Sequence, residues 1–208
     1  MISLYKSSQT QGGSLATSDF QALLNASYDS KIKLPQGWIR DKEISEDSAS
    51  VFLNFATGQV VVAHRGTEGT IKDWSNNLVY AVGGKKLYKT TERYKISRDV
   101  QKNAEAKYGA ENVTTISHSQ GGISAELVGG KSKEIINYNK ATAPFQANTI
   151  NKNQTDVSAD FDIVSRLNPF QKKTAKSKVK FNAKSKNPLY NHSIDALSNL
   201  NRDTVGKK

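Results

Sequence analysis

The chain of 208 residues contains no cysteine. Disulfide scaffolds, thiolate nucleophiles and cysteine-ligated zinc are therefore excluded. No apolar run approaches the length of a membrane span. The opening residues, Met1-Ile2-Ser3-Leu4-Tyr5-Lys6, lack the apolar stretch of a secretory leader. The expected location is the cytoplasm, or a site reached by a route that sequence does not reveal. Hydrophobic residues are scarce, at 36%, yet β-branched and aromatic residues cluster, which argues against global disorder. Acidic residues are missing from one long stretch: none lies between Asp162 and Asp195. Arg166, Lys172, Lys173, Lys176, Lys178, Lys180, Lys184 and Lys186 occupy that gap, and the net charge is +11. A run of one sign suggests an anionic partner, the plain alternative being a solvated lysine-rich loop.

What is present reads as strands alternating with helices. Residues 1–16 are polar and rich in small residues, which predicts a loose arm. Ser18 is a candidate cap for a helix over residues 19–26. Val51, Leu53 and Phe55 alternate as in a strand buried on one face, and residues 59–64 form an apolar run suited to a central strand. With the Thr57-Gly58 turn they make an antiparallel hairpin that starts the sheet. Residues 87–108 read as the longest helix, stopped by Gly109. Ile135, Ile136 and Tyr138 suggest a strand, residues 157–164 another, and residues 179–181 a short one inside the basic segment, residues 170–187. Residues 192–200 look helical. The expectation is one α/β domain over residues 17–203, with a mainly parallel sheet.

The chain is organised around residues 113–122. A β-branched run, Val113 to Ile116, leads into Ser117-His118-Ser119-Gln120-Gly121-Gly122 and then an apolar, helix-like stretch. Strand, tight turn and helix with Ser119 at the tip is the setting of a nucleophile elbow. Small residues are needed there because strand and helix pass close together. The first glycine of G-x-S-x-G is replaced by Ser117. A hydroxyl nucleophile needs a base, and three histidines are available: His64, His118 and His192. His64 ends an apolar strand and reads as a packed core histidine. Asp156, Asp160 and Asp162 are the candidate acids.

Four points of the chain together resemble the class 3 lipases, a branch of the α/β-hydrolases. The first is the apolar strand followed by Arg65-Gly66-Thr67 and then Asp73-Trp74. The second is Ser-His-Ser-Gln-Gly-Gly, where the family has Gly-His-Ser-Leu-Gly-Gly. The third is Asp162-Ile163-Val164-Ser165-Arg166-Leu167, matching Asp-x-Val-x-x-Leu. The fourth is His192 near the C-terminus. The resemblance covers roughly residues 52–192 and implies an α/β-hydrolase-type sheet flanked by helices. It implies a triad of Ser119, Asp162 and His192, with Asp160 second choice as acid. An oxyanion hole from the Gln120 backbone and from Thr67, its hydroxyl assisting, is implied too. Residues 68–77, with Ile71 and Trp74, correspond to the family's lid region.

The implied activity is hydrolysis of carboxylic esters of lipids through an acyl-enzyme, with no metal or organic cofactor. The implied partners are a lipid or small ester substrate and an anionic membrane touched through Lys172, Lys173, Lys176, Lys178 and Lys180. Nucleic acid is disfavoured because the basic segment offers only Phe170 and Phe181 for stacking. The competing class is an inert hydrolase fold used as a basic membrane- or nucleic-acid-binding module.

Overall fold

A computed structural model describes residues 13–67, 88–141, 151–166 and 175–206. The expected lid residues Ile71 and Trp74, and Lys172 and Lys173, lie outside these residues. Seven strands form one sheet in chain order: β1 (Trp38–Arg40), β2 (Ala49–Asn54), β3 (Val60–His64), β4 (Val113–His118), β5 (Glu134–Tyr138), β6 (Asn151–Ala159) and β7 (Ala175–Phe181). The first three are antiparallel neighbours, and β3 to β7 run parallel. The parallel strands therefore end on one edge, where loops from different strands converge.

The two faces are covered by helices α1 (Thr17–Tyr28), α2 (Glu92–Tyr108) and α3 (Gly121–Val128). On one face Phe20, Leu23 and Leu24 of α1 pack on Phe52, Val61, Ala63, Ile116, Ile136 and Tyr138. On the other, Val100 and Ala104 of α2 pack on Val51, Leu53, Val60, Val62 and Val113. Strands β2 and β3 are buried throughout, as strands covered on both faces must be. Two short helices, α4 (Ile163–Arg166) and α5 (Pro188–His192), follow β6 and β7.

Several sequence expectations are corrected. Helix α1 starts earlier than expected, with Ala16 and not Ser18 at its N-cap. The arm is tied at its inner end: Leu15 is buried, and Val205 N–H donates to its carbonyl at 3.0 Å. Phe55 does not join the buried face with Val51 and Leu53. Strand β2 stops at Asn54, whose side chain accepts from the N–H groups of Ala56 and Thr57, so Phe55 sits exposed in the turn. The helix expected from residue 87 begins at Glu92, because Thr91 caps it by accepting from Tyr94 N–H. The strand expected over residues 157–164 ends at Ala159, and Val164 lies in α4 against Ile123 and Tyr94. Strand β7 is longer than expected. Residues 192–200 are the end of α5 followed by a 3-10 turn, Ile194–Asn199.

Candidate active site

Ser119 sits in the step between β4 and α3 with φ 55°, a left-handed conformation unusual for a residue with a side chain. The neighbouring glycines show why the step is tight. A Cβ on Gly121 would collide with the backbone carbonyl of His64, and one on Gly122 with Lys140 Cβ. The turn is fixed by Ser119 N–H donating to Tyr138 O at 3.0 Å and by Ala141 N–H donating to Ser119 O at 2.9 Å. The serine that replaces the motif's first glycine is not in the turn at all. Ser117 is the fifth residue of β4, fully buried, and its hydroxyl donates to Asn137 Oδ1 at 2.6 Å.

His192 bridges Ser119 and Asp162. Its Nδ1 lies 2.6 Å from Asp162 Oδ1 and its Nε2 3.0 Å from Ser119 Oγ. The carboxylate only accepts, so Nδ1 carries the proton and Nε2 is left to accept from the serine hydroxyl. Asp160 is engaged through its backbone. Its carbonyl accepts from the Asn191 side chain at 2.7 Å, and its N–H is bonded to β7. Asp156 belongs to a separate cluster with Lys140 at 2.8 Å, Asn137 at 3.0 Å and Gln154 at 2.8 Å.

His192 is held mainly by its backbone. Fully buried Asn191 donates to Asp160 O at 2.7 Å and to Ser185 O at 2.9 Å. Asn139, itself at φ 43°, donates to Asn191 O at 2.7 Å, and Tyr138 Oη donates to Ser193 O at 3.0 Å. His118 Nε2 lies 2.8 Å from His192 O. A carbonyl cannot donate, so this nitrogen bears the proton and Nδ1 accepts from Tyr28 Oη at 2.8 Å. Tyr28 Oη in turn accepts from Gly66 N–H at 2.6 Å. Burial, with the His192 charge second, lowers the His118 pKa to about 3. His118 is thus a neutral connector between His192 and the loop after β3. His64 is the core histidine expected: fully buried, 3.1 Å from Gln101 Oε1, with burial lowering its pKa to about 4.

The loop after β3 is shaped by Arg93 of α2, which donates to the carbonyls of Arg65 at 2.7 Å and Gly66 at 3.3 Å. Thr67 meets Gln120 there, its hydroxyl donating to Gln120 Oε1. That hydroxyl proton is engaged with an amide, which differs from the assisting role the resemblance implied. Among the described residues, neither Thr67 N–H nor Gln120 N–H finds an acceptor. Unpaired N–H groups, one of them on the residue that follows Ser119, are the type of donor an oxyanion needs. No group of residues suited to a metal ion occurs among the described residues. Sequence reasoning missed Tyr28, Arg93, Asn139 and Asn191. Each acts through a bond to a distant carbonyl, N–H or ring nitrogen, which leaves no local pattern to read.

No protein-family model and no curated protein matches the chain. Among solved structures, the crystal structure of Lip2 lipase from Yarrowia lipolytica is similar, with a TM-score of 0.52 at 10% identity. The match covers 79% of this chain and 77% of that one. At such identity the likeness is one of fold: an α/β-hydrolase-type sheet, mostly parallel, with an antiparallel start.

Proposed function

We propose that the protein is a serine ester hydrolase of the class 3 lipase type, acting on carboxylic esters of lipids. The observation that carries this reading is the chain of two hydrogen bonds from Asp162 through His192 to Ser119 at a left-handed turn. Ser119 Oγ attacks the ester carbonyl carbon while His192 Nε2 takes its proton. Asp162 holds the imidazole tautomer and stabilises the imidazolium. The N–H groups of Gln120 and Thr67 receive the oxyanion. Collapse of the tetrahedral species breaks the bond to the alkoxy oxygen, which leaves as an alcohol carrying the proton from His192. Water, deprotonated by His192, then attacks the acyl-serine and releases the carboxylic acid. No metal or organic cofactor enters these steps.

The lipid assignment rests on the motif resemblance and on a fold shared with a lipase. The test is turnover of a short p-nitrophenyl ester by the parent and by Ser119→Ala. Loss of triad function commonly costs about 10⁴-fold or more in rate. The expected result is that loss with an unchanged thermal unfolding midpoint. An inactive parent, or a variant retaining most of its activity, would overturn the assignment and favour an inert binding module.

A further inference from the structure

The fold presents large apolar side chains beside His192. Phe161 is 52% exposed, Leu189 44% and Tyr190 37%. Phe161 comes from the loop after β6 and the other two from α5, whose Asn191 pins that loop to the one before α5 by donating to the carbonyls of Asp160 and Ser185. Phe161 therefore follows one pinned residue, and Lys184 and Lys186 flank the other. Both lysines are exposed. Lys180 adjoins them, because Phe181 O accepts from Asp160 N–H at 2.9 Å. Lys180 is exposed on β7, the edge strand of the described sheet.

The backbone holds part of this face in place at a conformational penalty. Phe161 and Lys184 have φ of 59° and 56°. Of the described residues other than glycine, four have positive φ, and a third of them is Ser119 itself. Such conformations persist only where the surrounding structure enforces them, and they gather at functional sites. Phe161 keeps about half of its surface exposed, at 52%. The carboxylates nearest in sequence are Asp160, half-buried, Asp162, buried against His192, and Asp195, which is exposed five residues after Tyr190. The exposed charge contributed by residues 176–186 is all positive.

We propose that Phe161, Leu189 and Tyr190, with Lys180, Lys184 and Lys186, form the face by which the protein docks on an anionic lipid surface. This deepens the hydrolase reading and rests on it: α5 carries both the base and two of the apolar contacts, so docking would bring the Ser119 site to the surface. The aromatic and aliphatic side chains would enter the boundary between headgroups and acyl chains. The lysines would be drawn by the surface charge, an attraction that falls off within a Debye length.

Binding is measured with the Ser119→Ala protein, so that hydrolysis does not alter the vesicles. The probes are sedimenting vesicles of phosphatidylcholine alone and with 30 mol% phosphatidylglycerol. The expected result is binding to the second and little to the first, weakening steeply as salt rises. Changing Lys180, Lys184 and Lys186 together to Gln is expected to weaken partitioning on the order of 100-fold, about fivefold per lysine. Phe161→Asn with Leu189→Asn is expected to weaken it at low salt as well; asparagine tolerates positive φ, so the fold is kept. The lysine variant in the Ser119 background is expected to turn over a soluble short-chain ester as the parent does. No vesicle binding, equal binding to both vesicles, an unaffected lysine variant, or tighter binding to duplex DNA than to vesicles would overturn the proposal. Failure of soluble-ester turnover in the parent would instead overturn the hydrolase reading.

Discussion

The turn around Ser119 and the turn around His192 are positioned by opposite means. Around Ser119 the constraint is a lack of atoms: Gly121 and Gly122 leave no room for a Cβ against His64 and Lys140. Around His192 the constraint is a set of donors: Asn139, Asn191, Tyr138 and His118 all give hydrogen bonds to backbone carbonyls there or close by. Exclusion is written in neighbouring residues and leaves a motif. Donation comes from residues up to 74 positions away, as with His118 and His192, and leaves none. Ser119 is thus held by local geometry and His192 by tertiary structure.

Gly121→Ala should give the largest effect, because the added methyl meets backbone that cannot yield. Overpacking of this kind costs about 3 kcal/mol. The expected outcome is a lower urea midpoint together with loss of ester turnover, since the elbow itself must shift. Asn191→Ala removes two partly buried hydrogen bonds near His192 and should cost about 2 kcal/mol. Turnover should fall on the order of 10²-fold, the usual consequence of moving a reacting group by about 1 Å. If Asn191→Ala lost stability but kept full kcat, the donors would serve the fold alone and the comparison would fail.

A third effect concerns acid. His64 and His118 have folded pKa values lowered by burial, to about 4 and about 3. Between those values and about 6.5, the pKa of an unfolded histidine, the unfolded chain binds more protons than the native one. Stability from these two groups is therefore complete above about 6.5 and declines as pH falls. The slope approaches about 1.4 kcal/mol per pH unit for each histidine. Urea midpoints between pH 7 and pH 5 should fall accordingly, and His118→Gln, if it folds, should show a shallower slope than the parent.

Much of this arrangement was legible before any coordinates. The β2–β3 hairpin, the parallel strands after residue 85 and the Gly109 stop followed from apolar runs and turn residues. Strand β6 was half missed because Asn151, Lys152, Asn153 and Gln154 carry no apolar alternation; pairing with β5 and β7 makes them a strand. The motif frame singled out Ser119, Asp162 and His192, and the structure brings those side chains into one hydrogen-bonded chain. What sequence misjudged were two neighbouring positions. Ser117 looked like a defect of the turn but is a strand residue bonded to Asn137. Gln120 was expected to matter through its backbone alone, yet its side chain engages Thr67.

Labelling with a fluorophosphonate tests the central claim most directly, because the reagent reacts with a serine only where a base activates it. Peptide mapping of the labelled parent should locate the adduct on Ser119, and His192→Ala should abolish it while Asp160→Asn leaves it intact. Absence of label from a folded parent, an adduct on another residue, or undiminished labelling of His192→Ala would contradict the hydrolase assignment.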